Sequence, residues 1–395
     1  MIYYLYFISF FCLSLFKKCR LSRYTASLSF LVLALFLCFS YMCGSDWRSY
    51  ELIYNFADFN NLNSLRAYIT VEHGFLFYIC IFKSLGIDFW GFFVLTKLIC
   101  LFIIFRSVKM IAQKNYLLVI SLLLPYCLYY LFIDCPLRNL MTISIFTATF
   151  PLIEKKKCFP FMLCAIGATF IHRSAGITVL LYFLLDRDIK NKTWIIVFIL
   201  TNILLSSREM LIYILQFLGS FVPYIAAKLE SYLLEESRFG GGKIFSLGLL
   251  INCVVFVFLI LQKEELKKLQ IPYFRIVFNG AMLFLTVYRA AITVQIFGRF
   301  VCYFAVFYFC LLATLLLLSH DKVLRFGLLT VVLFWACFMN LRVFKDFRYL
   351  PYTNLLLSPR YSFEERFFYN YEHSSFASDA DDPPYHHWNF YLKSQ

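Results

Sequence analysis

Charge is what this sequence most lacks. Only 15% of its 395 residues are Asp, Glu, Lys or Arg, against about 25% in a typical soluble domain. No water-soluble fold of this length needs 62% apolar residues and a mean hydropathy of +0.73. Missing too are a Gly-rich phosphate loop, a Cys-x-x-Cys pair and a His/Cys cluster at zinc spacing, so the 14 cysteines predict no metal centre. Most of them, Cys38, Cys100 and Cys310 included, lie inside apolar runs, where a thiol behaves as a small hydrophobe. Cys43 and Cys135 fall near one face, where they could pair. Residues 1–16 lack a basic lead and a small-residue cleavage site, which predicts a retained span rather than a removed signal peptide. The lack of an internal repeat argues against a transporter built from inverted halves.

What is present is a succession of apolar runs separated by cationic loops. The 37 basic and 23 acidic residues leave a formal charge of +14. Those cations fall in short loops between apolar runs, which topology and anionic lipid explain, so nucleic acid is not an expected partner. Lys17, Lys18, Arg20 and Arg23, then Arg106–Lys114, Glu154–Lys157, Asp186–Lys192, Gln262–Gln270 and His320–Arg325 mark one side as cytoplasmic. The runs between them alternate consistently only if Gly74–Leu85 does not cross. That segment is interrupted by Lys83 and is shorter than the roughly 20 residues a span needs. The expected fold is all-α: a polytopic membrane bundle of roughly 11–13 spans over residues 1–343, with outer loops 44–89 and 207–243 and an outer-face cavity. A C-terminal tail, 344–395, is expected outside and partly disordered. Gly240-Gly241-Gly242 reads as a hinge in the second outer loop.

Sorting polar residues by face gives the candidate site. The outer side collects Asp46, Tyr50, Glu72, His73, Asp134, Arg138, His172, Arg173, Arg208, Arg238, Arg289 and Arg299. Arg138, His172, Arg289 and Arg299 lie within or beside apolar runs, where a charge needs a partner or a wet cavity. A single arginine at a span end is ordinarily an interfacial anchor; several on the face that usually lacks cations suggest a site for an anion. Arg138, Arg289 and Arg299 form a candidate fork for a diphosphate, since guanidinium pairs its donors with phosphate oxygens. His172, neutral much of the time near pH 7, suits proton abstraction from a hydroxyl; Glu72 or Asp46 could do the same or orient that base.

At these residues the chain resembles a known family. Gly44-Ser45-Asp46-Trp47 with Tyr50, then Glu72-His73-Gly74-Phe75, Leu137-Arg138, and His172-Arg173-Ser174-Ala175 occur in the order and rough spacing of the EpsG-type polysaccharide polymerases, relatives of the Wzy O-antigen polymerases. Arg299 with Tyr303, and Pro351-Tyr352 beyond the last span, resemble later positions. Asn139 departs from the Gln that often follows the family's arginine. The resemblance implies a multi-pass protein of the bacterial inner membrane whose active site faces the periplasm. There the growing glycan would leave a polyprenyl diphosphate carrier and join the non-reducing end of a lipid-linked repeat unit. In that scheme His172, Glu72 and Asp46 are catalytic. Arg138, Arg289, Arg299, Arg173, Tyr50 and Tyr303 bind diphosphate or glycan. No nucleotide sugar, metal or other cofactor is implied. Partners are the polyprenyl diphosphate-linked oligosaccharide and membrane lipid, with a chain-length regulator and a flippase of the same pathway. The rivals are a lipid-linked oligosaccharide flippase, a polyprenyl-phosphate-sugar glycosyltransferase and an O-antigen ligase.

Overall fold

A computed structural model describes residues 2–16, 23–60, 62, 71–134, 137–207, 209–210, 213, 216, 246–294, 297–318, 322–343 and 348–366. The sequence readings on Lys17–Arg20, on Gly240–Gly242, on most of the loop 207–243 and on the tail beyond 366 lie outside these residues. Among those described, helix dominates. Apolar segments with no water to pair their backbone can close their hydrogen bonds only within a helix.

The helices are α1 (Ile2–Leu15), α2 (Arg23–Leu33), α3 (Trp47–Phe56), α4 (His73–Ser84), α5 (Phe89–Ala112), α6 (Tyr116–Leu123), α7 (Leu137–Thr149), α8 (Cys158–Ile171), α9 (Ile177–Leu184), α10 (Asn191–Leu204), α11 (Leu247–Leu261), α12 (Phe274–Thr293), α13 (Gly298–Leu318) and α14 (Lys322–Val343). Three stretches are long and apolar enough to cross a membrane by length and composition alone: Phe89–Leu128, α12 and α13. Others, α1, α8, α10 and α11 among them, are apolar but only 10–17 residues long. The chain is an all-α membrane protein.

Several helices are interrupted where the chain nears the candidate site. α2 runs into a wide π-type turn, Ala34–Cys38, and α6 into two, Leu124–Leu128 and Tyr130–Asp134. Pro125 sits in the second of these three turns; it has no N–H to donate and its ring clashes with the preceding turn, which forces the register to widen. The last turn ends on Asp134, at the brink of α7.

The core is tightly interleaved. α12 packs along α13: Gly280 admits the Phe307 ring so closely that an added Cβ would lie 2.4 Å from it, and Phe284 stacks on Tyr308 at 4.1 Å.

Both ends of α4 rest on α3. Phe75 meets Tyr50, and Lys83 Nζ donates to the carbonyls of Asn55 and Ala57 at 2.6 and 2.9 Å. α5 then starts beside Trp47, which packs on Trp90. The segment Gly74–Leu85 therefore lies alongside α3 and runs in the same direction.

At that far end the cationic loops converge. Asp186 pairs with Lys156 and, at 3.0 Å, with Arg275, while Lys263 Nζ donates to the Ile189 carbonyl at 3.0 Å.

Residues 348–366, assigned from the sequence to a separate tail, are bound to the helical body. β2 (Thr353–Asn354) pairs antiparallel with β1 (Ser40–Tyr41), the Tyr3 hydroxyl donates to the Tyr349 carbonyl at 2.7 Å, and Arg366 pairs with Glu51 of α3. The boundary at 343 marks the end of the last helix and not the end of the packed structure.

Candidate functional site

Glu72 is the hub. It stands at the N-cap position of α4, where a carboxylate ordinarily accepts from first-turn N–H groups, yet its side chain makes no such cap. One oxygen is 3.3 Å from His172 Nδ1 and accepts from the Arg173 backbone N–H at 3.2 Å; the other takes the Arg138 guanidinium. Three elements meet there: the start of α4, the start of α7 and the link between α8 and α9.

Gly74 makes the meeting possible, since a Cβ on it would lie 2.8 Å from the Phe170 carbonyl oxygen. His172 closes α8 in an extended conformation (φ −152, ψ 123), and the single turn Arg173–Gly176 redirects the chain.

Charge at the hub follows from this geometry. Burial alone would raise the Glu72 carboxyl, but the His172 hydrogen bond and the Arg138 charge outweigh it and hold the group at about 2. Glu72 is thus ionised across the physiological range. His172 is lowered below its usual value, first by burial and then by the Arg138 and Arg299 charges, against the pull of Glu72. The imidazole is neutral at pH 7. With Nδ1 facing a carboxylate its proton belongs there, which leaves Nε2 as a proton acceptor.

Asp46 behaves oppositely to Glu72. Burial and the neighbouring Asp134 raise it to about 6, with Arg299, Arg138 and the Ser45 hydroxyl pulling it back. Two carboxylates in one site are driven apart in this way, one locked as an anion and one poised near neutrality. That separation of neighbouring carboxyls is the usual basis for assigning acid and base roles.

The arginines divide. Arg138 is held by Glu72 and by the buried Tyr50 hydroxyl. Arg299, from the first turn of α13, bonds Tyr130 and contributes its charge to both Asp46 and His172. Arg289 is placed elsewhere than the sequence suggests. It is 3% exposed and donates at 2.9 Å to the Ser206 carbonyl beyond α10, with Thr293 donating to the Leu205 carbonyl beside it. It caps the carbonyl end of a helix, which favours a cation. Its outward-edge position in the sequence does not separate that duty from phosphate binding.

The Tyr303 hydroxyl lies 2.7 Å from Thr142 Oγ1 and 3.2 Å from Ser174 Oγ, and the residue is 1% exposed. It ties α7 and α13 to the His172 turn. Arg173 contributes its backbone N–H to Glu72 while its side chain points to the exposed surface.

Asp134, grouped with the outer-face residues but given no role by the sequence, receives Ser45 and Arg348, and Arg348 comes from beyond the last helix. Asp134 carried a signal, a carboxylate closing an apolar run. Arg348 carried none. Cys43 is a free thiol, its Sγ set against Tyr41 and Thr353; Cys135, its postulated partner, lies outside the described residues.

A family model described as the EpsG family matches residues 23–354. No curated protein and no solved structure matches the chain.

Proposed function

The chain belongs to the EpsG family, and from that membership and the Glu72-centred cluster we propose that it polymerises a bacterial surface glycan from polyprenyl diphosphate-linked repeat units at the extracytoplasmic face of the inner membrane. A polysaccharide-polymerase role is what the family carries broadly; the substrates, the sidedness and the residue roles are our reading.

An acceptor sugar hydroxyl attacks the anomeric carbon of the donor glycan, and its proton passes to His172 Nε2 or to the Asp46 carboxylate. The bond from that carbon to the diphosphate oxygen breaks, and its electron pair leaves with the diphosphate. Arg138 and Arg299 stabilise the charge that develops on the leaving group; preorganised stabilisation of this kind is commonly what lowers a barrier most. Glu72 holds His172 by Nδ1 and keeps Arg138 from swinging away. The lipid-linked glycans and membrane lipid are the direct partners, with a chain-length regulator and a flippase acting before and beside this step.

The single observation that carries the reading is the bridge by Glu72 between Arg138 and His172, an anion-binding cation and a neutral base set side by side. The test is deletion of the gene, complementation with Arg138→Ala or His172→Ala, and a gel of cell-surface glycan. Lone repeat units are expected in place of a ladder, with the variants still in the membrane. A normal ladder would overturn the residue roles, and a total absence of repeat units would point to a flippase.

A further inference from the structure

We propose that Arg348, on the segment after the last helix, is a positioning residue for the loop that carries Asp46. The inference deepens the function proposed above, because Asp46 matters to the reaction only on that reading.

Arg348 reaches the loop in two ways. Its carbonyl accepts the Gly44 N–H at 2.7 Å, and its guanidinium Nη1 lies 2.8 Å from Asp134 Oδ2. The other Asp134 oxygen accepts from the Ser45 N–H at 3.3 Å and from Ser45 Oγ at 2.9 Å. Ser45 Oγ is also 3.4 Å from Asp46 Oδ1, so its one proton serves either carboxylate.

The loop has no slack. Gly44 adopts φ +89, and a Cβ there would lie 2.1 Å from the Ile133 carbonyl oxygen and 2.7 Å from that of Asp134. Backbone pressed this closely against the turn transmits any displacement of Asp134 straight to Asp46.

The charges give the arrangement a sign. Asp46 is faced by Asp134 from the wide turn before α7, by Arg138 from α7 and by Arg299 from α13. Asp134 disfavours ionisation of Asp46, and the arginines favour it. Arg348 neutralises Asp134 and so limits that repulsion. Losing the Arg348 charge should raise the Asp46 pKa, whereas losing the Asp134 charge should lower it. Loosened packing would not produce opposite shifts.

The experiment labels purified full-length protein with a hydrophobic carbodiimide, which adds to a protonated carboxyl. Modification of the Asp46 peptide is then read by mass spectrometry across pH. The expected midpoint is near 6 in the unaltered chain, higher by about half a pH unit or more in Arg348→Met, lower by a similar amount in Asp134→Asn, and restored in Arg348→Lys. An unmoved midpoint in Arg348→Met, or shifts of one sign in Arg348→Met and Asp134→Asn, would overturn the inference. Should Arg348→Met fail to fold, Arg348→Gln, which also removes the charge, is read in its place with the same upward shift expected. Glycan elongation measured in parallel separates the two readings. Midpoints that shift while the pH dependence of elongation stays fixed would sustain the positioning role and sink the proposed use of Asp46.

Discussion

Asp46 and Glu72 are both acidic, both near Arg138, and electrically unlike. Burial works against ionisation in each. Glu72 overcomes it through His172, Arg138 and the Arg173 N–H, whereas Asp46 meets Asp134 as well as two arginines. A fall from 4.5 to about 2 is worth roughly 3 kcal/mol in favour of the charged Glu72. Because its folded value is depressed, that stabilisation is present above pH 4.5 and is lost as pH falls towards 2. Catalysis has a different window. A base must be deprotonated, so elongation should rise with pH through a midpoint near 6, the value of Asp46, and below the usual value of His172 where the imidazole contributes. Asp46→Asn should remove the step near pH 6. Glu72→Gln should cut the plateau by about 100-fold and move the His172 limb further to the acid side, since Glu72 is the group that raises His172. Rates of chain extension on lipid-linked repeat units across pH give the answer; an unchanged plateau in Glu72→Gln would remove the Glu72–His172 pair from the mechanism. At this scale the sequence named residues that the fold brings together, Glu72, Arg138 and His172, and left their duties open. Arg289 and Arg299 flank one turn and look equivalent in the chain, yet one caps a helix and the other faces Asp46.

Among the elements, α4 best shows what the chain order reveals. A 12-residue helix spans about 18 Å at 1.5 Å per residue, too short for a hydrocarbon layer of about 30 Å, and the positive-inside bias required that it return. The length is read from residues 74–85, the bias from the cationic loops that follow, Arg106–Lys114 first. The reason it lies where it does is read from neither. Its first turn is docked on the end of α8 through Gly74, and only coordinates show the Phe170 carbonyl waiting there. Gly74→Ala should therefore behave as a site mutation without touching a polar group. The new methyl would sit 2.8–2.9 Å from three Phe170 atoms, α4 must shift, and Glu72 would lose its 3.3 Å contact with His172. The expected result is loss of elongation by about 100-fold, what a 1 Å misplacement can cost, with normal membrane insertion by cell fractionation. Full activity would mean that α4 docks loosely. The wide turns before α7 were likewise hidden: Pro125 announced a break, but nothing in the apolar run around it told a kink from a widened register.

For the whole molecule, the sequence reads as a tail after residue 343, whereas residues 348–366 pack on the helical body. Composition shifts there from apolar to mixed, which is the usual signature of a tail, but the contacts that retain the segment are hundreds of residues apart in sequence and leave no local trace. Tyr352 donates to the Phe36 carbonyl at 2.7 Å and Asn354 to that of Leu35 at 2.8 Å, filling acceptors freed where α2 widens. The outermost tie is Arg366 on Glu51, with the guanidinium over the Trp90 ring. It lies past residue 354, where the family match ends. Glu51 is 3% exposed and its carboxyl is raised by burial despite Arg366, so removing the cation strands a carboxylate away from water. Arg366→Ala should destabilise the protein by about 3 kcal/mol or more, the usual cost of breaking one side of a buried pair, measured as a lower unfolding temperature in detergent. Replacing both residues with apolar ones of similar size, Glu51→Leu with Arg366→Met, should recover most of that loss, because no charge is then left buried. If Arg366→Ala melts like the unaltered protein, the contacts of residues 348–354 hold the segment without it.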